Sequence, residues 1–169
     1  MALVTLQSFQ PEASIQLQAG VQVLGLHERL FQFSWHDPEQ KIIWPKTENL
    51  PQRRDEIWKH SCFEVFWGEF SATSYWELNL NPSQHWNLYR FKSERSPQPP
   101  TPDHTFVVEG IQWAATKAEV LVKGPWGNTG FQGTFCAVTE LANEKLYWAT
   151  THSSSKPDFH RRMDWQQRF

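Results

Sequence analysis

The sequence predicts an all-β fold, an antiparallel β-sandwich, on three observations. Short runs of alternating apolar and polar residues recur along the chain, and a period of two marks half-buried strands. Clusters of turn residues punctuate the runs, as in Gly124-Pro125-Trp126-Gly127-Asn128. No amphipathic helical stretch is present to cover a parallel sheet, which disfavours a mixed α/β arrangement. About nine to eleven short strands, with no helix longer than a turn or two, fit a sandwich.

In chain order, Leu3–Leu6 and Ile15–Gln18 are short alternating pieces separated by Pro11. Val21–Leu26 and Leu30–Trp35 follow, linked by the polar His27-Glu28-Arg29, and Phe31, Phe33 and Trp35 share one face. Residues 36–57 read as a long loop with Pro38, Pro45 and Pro51, holding a short candidate strand at Ile42-Ile43-Trp44. Loops of that length in a compact domain are often functional. Two strongly alternating runs come next, Cys62–Glu69 and Tyr75–Asn81, joined by Phe70-Ser71-Ala72-Thr73-Ser74. Pairing Phe63 with Leu80, Val65 with Leu78 and Trp67 with Trp76 gathers the large apolar residues on one face, Phe66 excepted. The other face then carries Glu64 beside Asn79 and Phe66 beside Glu77. A one-residue slip would mix the two sets, so the pattern specifies the register.

His85–Lys92 is the next strand, with two registers open. One sets Trp86 by Leu80, Leu88 by Leu78 and Arg90 by Trp76 at the apolar rim; the other brings Arg90 to the acidic face. Residues 93–104 hold four prolines and read as loop. Thr105–Trp113, Ala115–Lys123, Phe131–Leu141 and Lys145–His152 complete the strands, and the polar tail Ser153–Phe169 carries three aromatics in its last eleven residues. Neither flank is large enough to stand alone, so residues 1–169 read as one domain.

Composition narrows the function. Sixteen basic against eighteen acidic residues give a net charge of −2, and no basic field for nucleic acid is evident. No apolar run approaches the length of a membrane span. The N-terminal residues lack a secretory pattern, so the reading is cytoplasmic, with Cys62 and Cys136 reduced and buried. Aromatics reach 15% of residues, with ten tryptophans, and an indole is seldom fully buried. Some are therefore candidates for a binding face.

Familiar catalytic templates are missing: there is no phosphate-cradling glycine loop, no Gly-x-Ser-x-Gly elbow and no His-Glu-x-x-His. Glu64 and Glu77 are the nearest thing to an acid–base pair. The seven histidines show no tight ligand spacing; Asp158 and His160, two apart, sit in a tail that reads as solvated, and no metal is expected. A haem would want Met163 with one of His60, His85, His152 or His160, which nothing in the sequence pairs. Sugar binding asks for an aromatic plate against the C–H face of a pyranose, with carboxylates, amides and Arg on its hydroxyls. Trp58, just ahead of the central hairpin, could close over a face holding Glu64, Glu77 and Asn79, with Arg90 as a further member. The same residues also fit an ordinary wet sheet face with Trp58 as a loop anchor.

Ile57-Trp58-Lys59-His60-Ser61-Cys62-Phe63-Glu64-Val65-Phe66 resembles the DOMON-like domains related to family 9 carbohydrate-binding modules. So do Tyr75-Trp76-Glu77-Leu78-Asn79-Leu80-Asn81-Pro82-Ser83, the following Trp86 and Tyr89-Arg90-Phe91, and later Tyr147-Trp148-Ala149 and Lys156-Pro157-Asp158-Phe159-His160. The resemblance spans about Trp58 to Asp164. It implies a jelly-roll or immunoglobulin-like sandwich and a sugar held between two tryptophans, with a Glu and an Arg among the polar contacts. Trp58 and Glu64 match the first tryptophan and the Glu; Arg90 matches the Arg more loosely. For the second aromatic, Trp148, Phe159 and Trp165 all remain open. Haem, which some DOMON domains bind, is the second reading, and a protein-interaction module using exposed aromatics is the third. The resulting expectation is a non-enzymatic domain with no cofactor, binding a small carbohydrate or polyol. The candidate contacts are Trp58, Glu64, Glu77, Asn79 and Arg90, with Trp148, Lys156, Asp158 and Phe159 from the later stretches.

Overall fold

A computed structural model describes residues 2–48, 50–127 and 130–169. The described chain is all-β, its only helical pieces being two single turns, Ile57–Lys59 and Arg162–Asp164. The strands are β1 (Val4–Ser8), β2 (Gln16–Gly25), β3 (Glu28–His36), β4 (Gln52–Arg53), β5 (Cys62–Glu69), β6 (Tyr75–Leu80), β7 (His85–Phe91), β8 (Thr101–Pro102), β9 (Val107–Trp113), β10 (Lys117–Lys123), β11 (Phe131–Glu140), β12 (Lys145–Ala149) and β13 (Gln167–Arg168). They form one path, β4-β7-β6-β5-β11-β12-β1-β2-β3-β10-β9, with β13 on β11 and β8 on β7. Every pairing is antiparallel except β4 with β7.

The path curls until β3, five strands from β5, lies across from it: the rings of Phe33 and Phe63 stack at 4.5 Å, and Phe31 lies 5.9 Å from Trp67. The alternating apolar residues of β2, β3, β5, β6, β10 and β11 meet there in one core with Trp126 and Phe106. Large flat rings fill such an interior at high burial per residue.

The hairpin register is the one the alternation dictates. Phe63 pairs with Leu80, Glu64 with Asn79, Val65 with Leu78, Phe66 with Glu77 and Trp67 with Trp76. In β7 the register with Trp86 on Leu80 and Arg90 on Trp76 holds, and no bulge interrupts it. Tyr89 and Phe91 therefore point to the Glu64 side of the sheet.

Three expectations are corrected. Ile15–Gln18 and Val21–Leu26 are parts of one strand, β2, which runs on through Gly20. A Cβ on Gly20 would meet the Ala2 carbonyl at 2.8 Å, so glycine lets the N-terminal segment lie against the strand. Ile42–Trp44 is not a strand: Ile43 N–H donates to Glu140 O, while Trp44 packs on Trp35 and Phe63. The tail is not a solvated appendage. It crosses the second face of β5 and β6, leaving Asp164 and Trp165 buried and Phe159 and His160 partly buried. For this reason the β6 residues, and all of β5 but Glu69, are buried on both faces.

Candidate ligand-binding site

The second face of the hairpin is floored by short-range strand geometry and roofed by long-range chain. In β5 and β6 the period of two places Glu64, Phe66, Glu77 and Asn79 together on this side. The next strand adds Asn87, Tyr89 and Phe91, and β11 adds Cys136 opposite Glu64. The roof is assembled from the single-turn helix carrying Trp58, the loop 92–100 and the C-terminal segment. Between floor and roof lies a hollow of about 320 Å³, in the range of small-ligand sites. Glu64 and Glu77 open into it from the floor, and Trp58, Phe91, Tyr147 and Phe159 give it four aromatic walls. Arg95 and His160 also line it.

The two carboxyls are 3% and 5% exposed, and among the described residues neither has a Lys or Arg within ion-pair distance. Glu64 accepts only a long contact from the Cys62 thiol, at 3.5 Å. Glu77 accepts from Asn79 Nδ2 at 2.6 Å, and Asn79 Oδ1 is buried with no donor among the described residues. The Arg95 guanidinium is committed to Asp158, at 2.6 Å. Burial, and then the neighbouring Glu77, push Glu64 well above the usual carboxylate range. Burial pushes Glu77 up to about 7, against the Asn79 hydrogen bond and the charge of Arg95.

His160 is held neutral. The Arg95 backbone N–H donates to Tyr75 Oη at 3.0 Å, and the same hydroxyl shares a hydrogen bond with His160 Nδ1, 2.6 Å away. The other ring nitrogen, Nε2, faces Glu77 Oε2 at 3.7 Å. Burial, then Arg95, pull the imidazole down to about 4, so the approach is not an ion pair at neutral pH. Trp58 leans edge-on against Tyr89, ring centres 5.5 Å apart, and Tyr89 Oη donates to Asp55 at 2.9 Å. These contacts seat the indole at the wall of the hollow, half-buried.

The sequence candidates divide. Trp58, Glu64, Glu77 and Phe159 come together at the hollow. Asn79 lies beneath it, bonded to Glu77, and Asp158 stands at its edge through Arg95. Arg90 is on the opposite face, exposed, with its guanidinium 5.5 Å from the Trp76 ring; the β7 register dictates this. Trp148 is buried in the main core, its Nε1 donating to Thr139 Oγ1. Lys156 is exposed and does not line the hollow. Trp165 lies under the roof against Phe66 and Tyr75. The structure thus supplies Arg95 where Arg90 was expected, and adds Tyr147, Phe91 and His160. Phe91 was readable from the correct β7 parity. Arg95 and His160 had no local signal, because a loop and a distant segment bring them in.

A haem held by His and Met does not fit these residues. Met163 is 72% exposed and outside the hollow, and of the four candidate histidines only His160 reaches it, with Nδ1 engaged by Tyr75. Cys62 and Cys136 are free and buried. No group of metal-ligating side chains occurs among the described residues.

No protein-family model and no curated protein matches the chain. Among solved structures, its fold is similar to that of a "putative carbohydrate-binding protein" from Bacteroides uniformis, with a TM-score of 0.59 at 10% identity over 96% of this chain and 84% of that one. At that identity the likeness is one of fold.

Proposed function

We propose that this chain is a non-catalytic binding domain for a small carbohydrate, which it takes into the hollow over Glu64 and Glu77. The observation that carries the reading is the composition of that hollow: two buried carboxyls on the floor of a chamber of about 320 Å³ with four aromatic side chains in its walls. Flat aromatic walls suit the C–H faces of a sugar ring, and the carboxyls exchange hydrogen bonds with its hydroxyls. The description of the Bacteroides protein as carbohydrate-binding is consistent with this use of the fold. Within the reading, the curled sheet is a sandwich of DOMON-like type related to family 9 modules, with Trp58 and Glu64 in the roles the resemblance implies.

Among the described residues no Lys or Arg pairs directly with either carboxyl, which supports binding over glycoside hydrolysis. That chemistry wants one carboxyl protonated and the other held ionised. Here burial pushes both upward, and the nearest guanidinium belongs to Asp158.

Calorimetric titration with a panel of monosaccharides and disaccharides tests the reading. At least one is expected to bind, and Trp58→Ala is expected to remove that binding. The same substitution should cost about 1–2 kcal/mol of stability, less than a fully buried tryptophan would, since the indole is half-buried and packs on the protein through its inner edge alone, against Tyr89 and the apolar clusters beside it. A panel with no binder overturns the proposal. So does a Trp58→Ala variant that binds as the parent does.

A further inference from the structure

We propose that the hollow selects sugars bearing a free, protonated amine, with the ammonium group seated between Glu64 and Glu77. The inference deepens the carbohydrate reading and rests on it. The geometry singles out a cation. Two carboxyl groups, each more than nine-tenths buried, open into one chamber, and neither carries a Lys or Arg partner among the described residues. Hydrogen bonds account for one Glu64 oxygen through Cys62 and one Glu77 oxygen through Asn79. The remaining Glu64 oxygen has no partner among the described residues, and the remaining Glu77 oxygen has only the long approach of His160 at 3.7 Å. An ammonium presents three donors to such a pair and forms charge-assisted bonds. The aromatic walls add a cation–π surface for the same charge.

Neighbouring charges agree. Fully ionised, Glu64, Glu77 and Asp158 present three negative charges against the single positive charge of Arg95, while His160 is neutral. Arg95 stands half-exposed at the mouth with Asp158, so it does not occupy the floor. Burial favours the protonated pair, which a neutral sugar leaves unchanged; an ammonium instead exchanges for one of those protons and pairs with the carboxylate left behind, and an anionic group would oppose that ionisation.

Binding then displaces a proton. Around the carboxyl pair stand Cys62 from its own strand, Cys136 from β11, Tyr75 and Tyr89 from β6 and β7, and His160, Asp158 and Arg95 from the roof. Burial pushes the thiols and phenols upward, and His160 takes a proton only near pH 4. The carboxyls are thus the groups that release a proton to solvent when the ammonium arrives.

The test is calorimetry on the full chain with glucosamine, N-acetylglucosamine and glucose, at about pH 6, in two buffers of different ionisation enthalpy. The expected result is glucosamine binding at least about tenfold tighter than the other two, with about one proton released per amine and none with glucose. Glucose or N-acetylglucosamine binding as tightly as glucosamine overturns the amine seat and leaves the carbohydrate reading standing, as does glucosamine binding without proton release. Failure of all three sugars and of the wider panel overturns both. Glu77→Gln, with Glu64→Gln as a second variant should the first not melt cooperatively, is expected to bring glucosamine down to the level of glucose. A preference undiminished in the folded variant overturns the assignment.

Discussion

Glu77 shows how one residue's surroundings set the behaviour of the site. Its carboxyl is buried against Asn79 and Glu64, and burial outweighs the hydrogen bond, so the neutral form is favoured in the folded state up to about pH 7. Between an unfolded value near 4.5 and this folded value, the native state binds a proton that the unfolded state does not. Stability from this group is therefore greatest at low pH and falls as pH rises towards 7, by roughly 3 kcal/mol in all. His160 works in the opposite sense: its folded value near 4 lies below the ordinary 6.5, so stability rises with pH between those values. The two partly cancel below 6.5. The comparison that isolates Glu77 is Glu77→Gln against the parent, by urea unfolding at about pH 5 and about pH 8. The variant is expected to gain on the parent as pH rises; a constant difference would show that Glu77 ionises in the fold as it does in water.

At the scale of elements, the C-terminal segment decides whether the polar face is a wet surface or a chamber. Arg162 ties it down. Its Nη2 donates to Glu69 O at 2.8 Å, and its Nη1 donates to Ala72 O and, at 3.5 Å, to Ser74 O, all on the β5–β6 turn. Trp165 lies under the guanidinium at 5.2 Å. Gly68 makes room: a Cβ there would stand 3.2 Å from Arg162 Nη2 and 2.9 Å from Ser74 O. Arg162→Ala removes three charged-donor contacts and is expected to cost about 2–4 kcal/mol. Limited proteolysis should then cut within residues 151–161, and ligand affinity should fall with the loss of the Phe159 and His160 wall. A variant as protease-resistant as the parent would mean that Phe159, Trp165 and the Tyr75–His160 and Arg95–Asp158 contacts hold the segment without Arg162.

For the whole molecule, the decisive fact is that the curled sheet buries one face of the hairpin and the C-terminal segment covers the other. Val65 is fully buried in the main core, opposite Phe135 of β11. Val65→Asp places an unpaired charge there and is expected to cost roughly 4 kcal/mol or more, a large share of the stability of a domain this size. Circular dichroism and solubility measure it. A soluble variant that unfolds cooperatively would mean that the two hairpin faces are exchanged.

The strands and the central register were legible in the sequence for a local reason. Residues two apart share a face, so Phe63, Val65 and Trp67 against Glu64 and Glu77 define sidedness without any knowledge of the rest. Trp58 was legible as well, being four residues ahead of β5. Long-range choices were not. Two registers of β7 were chemically acceptable, and only packing against Trp76 set Arg90 outside and Phe91 within. Trp148 looked like a sugar plate, yet the curl of β12 turns it into the core. Arg95, Tyr147 and His160 reach the hollow from segments between 26 and 96 residues beyond Glu69, Phe63 and Glu64 respectively, a juxtaposition set by chain reversal and roof packing rather than by periodicity. The amino-acid order by itself determined which side of the hairpin would be polar; only the tertiary fold decided that this side would be roofed and its carboxyls buried, because burial is a property of what packs above a residue, not of the residue's neighbours in the chain.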